Sequence, residues 1–103
     1  MRSALVYMMG DLAGVLEESE GKAFRFSYLE NYNGAPVSLS MPVAQQEFDF
    51  DGFPPFFEGL LPEGDMLEGL LRQCKIDRND MLSQLIAIGL ETIGAVTVVE
   101  NVS

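Results

Sequence analysis

The sequence predicts an α+β fold: a small antiparallel sheet made of a β-hairpin and a meander, about three short packed helices, and a C-terminal strand. Three observations carry this. Residues 3–50 contain short apolar runs with period-2 alternation, divided by turn residues. Residues 53–88 switch to the i, i+1, i+4 spacing of amphipathic helices. Residues 94–100 (GAVTVVE) return to a β-branched run. Strands, then helices, then one strand is the order of α+β rather than alternating α/β architecture. At 103 residues, with no internal repeat and no long linker, the whole chain is expected to form a single domain.

In chain order, residues 3–9 (SALVYMM) read as a strand, and Gly10-Asp11 as a two-residue hairpin turn. Residues 12–17 return, with Gly14 permitting close backbone approach. After the polar turn 18–22, residues 23–29 alternate: Phe24, Phe26 and Tyr28 on a core face, Arg25 and Ser27 on the other. Residues 30–36 are turn chemistry, marked by Asn33-Gly34 and Pro36. Val37, Leu39 and Met41 alternate with Ser38 and Ser40, which predicts a further strand ended by Pro42. Residues 45–52 suit an edge strand or an extended loop.

Residues 53–72 (FPPFFEGLLPEGDMLEGLLR) form the centre of the chain. Phe56, Phe57, Leu60 and Leu61 make one helical stripe; Met66, Leu67, Leu70, Leu71 and Cys74 make a second. Pro62 sets a kink or tight turn between two short helices. Cys74, on an apolar stripe, is expected to be an inert core thiol. A third helix is predicted over residues 78–88, with Asp77 and Asp80 as a capping box and Met81, Leu82, Leu85 and Ile86 buried. Gly89 would be a left-handed C-terminal cap, and residues 90–93 a loop.

The net charge of −10 argues against direct contact with nucleic acid or anionic membranes, which draw affinity from Lys and Arg. No apolar run approaches a membrane span, and the N-terminal stretch reads as a strand rather than a signal peptide. With one cysteine, these features suggest a cytoplasmic location. Between Arg25 and Arg72 there is no Lys or Arg, while Glu30, Glu47, Asp49, Asp51, Glu58, Glu63, Asp65 and Glu68 fall there. Acidity of this kind serves solubility; a one-sign segment also attracts a partner with a basic surface.

No histidine is present, so Ser-His-Asp and Cys-His catalysis cannot be assembled within the chain. No Gly-rich phosphate loop or Walker lysine occurs, and acidic pairs such as Glu17/Glu18 or Glu63/Asp65 are what chance provides among 16 acids. Asp49-x-Asp51-Gly52 lacks the remaining ligands of a calcium loop. The expectation is a protein that is not an enzyme and holds neither catalytic, cofactor-binding nor metal-binding residues. The candidate site is instead the turn Glu63, Gly64, Asp65 and Met66, which joins charge, a flexible glycine and an adaptable thioether at one point. Met66 can equally begin the core stripe of the second helix.

Three ordered segments resemble one family: residues 38–42 (SLSMP), 56–63 (FFEGLLPE) and 85–96 (LIAIGLETIGAV), behind an N-terminal hairpin. Over essentially the whole chain they are similar to the N-terminal subdomain of HipA-type serine/threonine kinases, toxins of toxin–antitoxin systems. The resemblance implies a small β-rich subdomain that leans on a kinase N-lobe. Free-standing chains of this size resembling it occur in three-gene variants, where the small protein is HipS, the shortened kinase HipT and the DNA-binding protein HipB. By that resemblance the partners are a HipT-like kinase and, through the complex, a HipB-like protein, and the function is that of an antitoxin binding and inhibiting the kinase in trans. The alternative is a separately encoded structural subdomain needed for the kinase to fold or act. Where the family often reads Gly-Arg-Asp this chain has Gly89-Leu90-Glu91, so contacts of that arginine do not carry over, and no family catalytic residue maps onto the sequence.

Overall fold

The computed structural model describes residues 2–90 and 95–102. Five strands form one antiparallel sheet: β1 (Ser3–Met8), β2 (Asp11–Glu18), β3 (Phe24–Tyr28), β4 (Glu47–Phe50) and β5 (Val96–Glu100), in the order β4-β3-β2-β1-β5. Three α-helices accompany it among the described residues: α1 (Pro55–Glu58), α2 (Gly64–Cys74) and α3 (Met81–Ile88). The predicted α+β class, hairpin, meander and C-terminal strand are all present. The helices contribute Phe57, Leu82 and Leu85 to a single core whose sheet side is Ala4, Val6, Leu16, Phe24, Phe26, Tyr28, Phe48, Val96 and Val98. The alternate positions Leu5, Tyr7 and Val15 are only half-buried, as expected for a sheet covered on one face.

The hairpin turns one residue earlier than the sequence suggested. Met8 pairs with Asp11, so Met9 and Gly10 are the central residues, with φ of 53° and 87°. Positive φ at both central positions defines the type I′ turn, whose twist matches the flanking strands. A register slipped by one residue would set Glu17 opposite Ala4 in the core; the observed register, with an irregularity between Val6 and Tyr7, sets Leu16 there. Gly14 serves the close approach expected of it. A Cβ there would overlap the Ser27 carbonyl and lie 2.9 Å from the Phe26 ring.

Alternation along β3 is as predicted, with Phe24, Phe26 and Tyr28 buried and Arg25 exposed. Of residues 45–52, Glu47–Phe50 form the edge strand β4 and the flanking residues turn. Residues 37–41 do not form the expected strand. Val37 and Met41 are buried, but the Met41 N–H donates to the Ser38 carbonyl (3.0 Å), closing a tight turn with Leu39 at its tip, 95% exposed. The cause is long-range: the buried Tyr28 hydroxyl donates to the Met41 carbonyl (2.5 Å) and accepts from the Val37 N–H (3.0 Å), so the segment's ends bond to a side chain instead of a neighbouring strand.

The α3 N-cap is Asp80, not Asp77. The Asp80 carboxylate accepts from the Ser83 N–H (3.2 Å), while Asp77 accepts from the Asn79 N–H two residues on (2.9 Å). Leu82 and Leu85 are buried as expected; so is Gln84, whose amide donates to the Asp77 and Arg78 carbonyls. Gly89 is right-handed (φ −56°), which corrects the predicted left-handed cap. Glycine is required there by β5: a Cβ would overlap the Val98 carbonyl oxygen and sit 2.7 Å from its carbon. The expected loop after Leu90 lies largely outside the described residues.

Candidate partner-binding surface

Pro55 sits at the start of α1, where a missing N–H costs nothing, and the helix ends within one turn at Gly59. Phe57 plugs the core and tilts against Phe26 (5.7 Å between centroids), while Phe56, Leu60 and Leu61 lie half-covered against it. Pro62 then breaks the chain, Glu63 takes an extended conformation and Gly64 a φ of +60°. With nothing within 4 Å of a Cβ at Gly64, its glycine answers to backbone conformation alone.

Glu63, Gly64, Asp65 and Met66 are therefore brought together on one exposed turn at the N-terminus of α2. The Glu63 side chain makes no capping hydrogen bond, and neither Glu63 nor Asp65 has an ion-pair partner among the described residues. Met66 is 76% exposed, so it does not begin a core stripe. Asp65 lies in the first helical turn, where the helix dipole favours negative charge.

The stripe that follows is less covered than its periodicity suggested. No residue of the eleven in α2 is fully buried. Leu67, Leu70 and Leu71 are half-exposed, and Cys74, expected in the core, is exposed. Periodicity reports that a helix has an apolar face; it does not report that anything in the chain is large enough to cover it. A polar contact also ties α2 to the segment before α3: the Arg78 guanidinium binds the Glu68 carboxylate (Nη2 to Oε2 2.6 Å) and holds its carboxyl below the usual range. Sequence reasoning missed this clip, because a ten-residue separation across a helix end has no local signature.

Elsewhere the cations hold the fold. Arg2 donates to Glu18 (2.9 and 2.8 Å), to Asp80 (3.1 and 3.0 Å) and to the Ser83 hydroxyl (2.9 Å), tying the hairpin to the start of α3. Arg25 bridges to Asp49 (2.7 Å). Among the described residues no group of three metal-ligating side chains converges, and no helix is long and apolar enough to cross a membrane.

An antiparallel sheet with helices on one face, whose candidate site is an exposed turn rather than a pocket, defines a small α+β module. The model of the HipA N-terminal domain matches residues 4–99, and the chain belongs to that family. It is 37% identical over 101 residues to an uncharacterized protein of Haemophilus influenzae, covering 98% of this chain and 94% of that one. A solved structure described as the N-terminal domain of HipA toxin superposes with a TM-score of 0.77 at 32% identity, covering 100% of this chain and 95% of that one. The chain is thus related to HipA through the N-terminal domain, which is not by itself a kinase domain.

Proposed function

We propose that the protein is a HipS-like antitoxin that binds a HipT-like serine/threonine kinase in trans and restrains it in the cytoplasm, meeting a HipB-like DNA-binding protein through that complex. The observation that carries this reading is α2: an amphipathic helix with no fully buried residue, entered through a turn whose Glu63 and Asp65 carboxylates have no ion-pair partner among the described residues and whose Met66 is exposed. An apolar stripe left half-open beside unpaired carboxylates suits a partner with an apolar groove and a basic rim. The family relationship supports a HipA-type partner, since a similar domain is the N-terminal domain of a HipA toxin. Kinase N-lobes present Lys and Arg to phosphate, which gives an acidic turn a surface to engage.

A half-covered helix is also what a structural subdomain would show if it completes a kinase that cannot fold or act alone. One experiment separates the two: growth of cells expressing the kinase alone and with this protein, with a pull-down. The antitoxin reading expects toxicity alone, rescue together and a stable complex; a kinase toxic only in the presence of this protein overturns it. Glu63→Lys with Asp65→Lys is expected to weaken the complex roughly 10- to 100-fold while the domain stays folded. Unchanged affinity removes the turn from the interface.

A further inference from the structure

The sheet has two edges, and the chain treats them differently. At β5 the outward-facing Val98 N–H donates to the Gly89 carbonyl (3.0 Å), so the end of α3 covers that edge. At β4 nothing comparable occurs among the described residues. The Tyr28 N–H donates to the Gln46 carbonyl (2.9 Å), which turns the backbone groups of Gln46, Phe48 and Phe50 towards β3 and those of Glu47 and Asp49 outwards. The Gln45 side-chain amide reaches the Glu47 carbonyl (3.1 Å); the Asp49 N–H and C=O meet no partner among the described residues.

We infer that the open edge of β4 is a docking site for an extended basic segment of a partner protein, which adds to the sheet as a sixth strand. An uncovered edge invites pairing with any strand unless charge forbids it. Here Glu47 and Asp49 forbid a second copy of β4, because like charges would face one another across the new ladder. They favour a basic strand, and Arg25 shows how. Arg25 lies directly opposite Asp49 on β3, and its guanidinium reaches Asp49 (2.7 Å) and approaches Glu47 (3.8 Å). Two carboxylates thus share one cation, and their side chains remain 60% and 71% exposed. A Lys or Arg opposite Asp49 on the other side of β4 would meet the same carboxylates from the vacant flank. The alternate residues of that strand would point to the opposite face, where Met41, Phe48, Phe50 and Phe56 line a cleft of about 370 Å³ together with Ser40, Gln45, Asp49 and Pro55. The segment recognised therefore alternates basic and apolar residues.

This site is separate from the turn at Glu63 and does not rest on the antitoxin reading. The test uses an alternating arginine–valine peptide of about six residues, the length of an ordinary strand. It is titrated into the 15N-labelled protein by NMR, beside two versions N-methylated along one edge or the other. Expected are saturable shifts on β3 and β4 and slowed exchange of the Glu47 and Asp49 amides. One methylated peptide should lose about tenfold or more in affinity, while the other binds as the parent does. Glu47→Lys with Asp49→Lys should abolish binding, and Glu63→Lys with Asp65→Lys should not. Absence of saturable binding at millimolar peptide, equal binding of both methylated peptides, or shifts centred on residues 62–66 would each overturn the inference.

Discussion

Replacing Gly89 by alanine tests how the last helix is joined to the sheet. Its φ of −56° and ψ of −30° are ordinary helical values. From helix propensity alone, the substitution should stabilise the protein by roughly 0.4–1 kcal/mol. The packing predicts the opposite sign. The new methyl would overlap the Val98 carbonyl oxygen and lie 2.7 Å from its carbon, both backbone atoms of a paired strand. Relieving that overlap means moving α3 away from β5, at about 1–3 kcal/mol for overpacking, and losing the Val98 to Gly89 hydrogen bond, about 1 kcal/mol more. With the propensity gain subtracted, the net cost is roughly 1–3 kcal/mol. A domain of this size holds about 5–15 kcal/mol in all, so the loss is readily measured. The assay is urea unfolding followed by circular dichroism, with Gly10→Asn as the control. Gly10 has φ of 87° and open space around it, so asparagine there should cost less than about 1 kcal/mol. An alanine variant at 89 whose midpoint is unchanged or raised would refute the argument that β5, rather than local conformation, demands the glycine.

Two further substitutions probe the connections that sequence does not announce. Tyr28→Phe removes one hydroxyl and orphans the Val37 N–H and the Met41 carbonyl; about 2–4 kcal/mol should be lost in urea unfolding, with faster amide exchange confined to residues 37–41. Arg2→Ala should cost about 1 kcal/mol at neutral pH, a value discounted for a network open to solvent. Its pH dependence follows from the two carboxyls. The hydrogen bond from Arg2 holds Glu18 below its ordinary pKa; Asp80 is pushed up by burial, but Arg2 and Ser83 together bring it below its usual value. Depressed carboxyls contribute stability above the unfolded pKa of about 4, and that contribution disappears as pH falls through their folded values. Urea midpoints of wild type and Arg2→Ala should accordingly differ at pH 7 and draw together as pH falls below the unfolded carboxyl pKa of about 4; a constant gap on acidification contradicts the linkage.

The strands were legible wherever side-chain alternation coincided with backbone pairing, as in Phe24, Phe26 and Tyr28. The same alternation misled at Val37, Leu39 and Met41, because both buried ends turn inward to one tyrosine hydroxyl from another strand. Glycine and aspartate were legible as punctuation and ambiguous as to mechanism. Gly89 is demanded by the close approach of Val98 rather than by handedness, and of two aspartates three residues apart only the local bonds show that Asp80 caps. For the candidate surface, composition and spacing placed an acidic turn at Glu63 to Met66. They placed Cys74 in the core wrongly, since a stripe is a property of one helix and its coverage a property of everything around it.

The charge distribution gains meaning once the ion pairs are known. Arg2, Arg25 and Arg78 are half of the six cations, and each closes a contact between segments distant in sequence. Their partners are Glu18, Asp80, Glu47, Asp49 and Glu68. None of the three reaches Glu63 or Asp65. The α2 turn therefore keeps both of its carboxylates outside these pairs, and on β4 Glu47 and Asp49 share the single cation Arg25, so both surfaces retain net negative charge. Such a field repels a second copy of the chain and attracts a basic surface, and it acts on association rate more than on dissociation. The association rate of any complex formed through these surfaces should fall steeply between low and physiological salt while its dissociation rate changes little. Stopped-flow binding across that range would show whether the acidity recruits the partner or merely keeps the protein in solution.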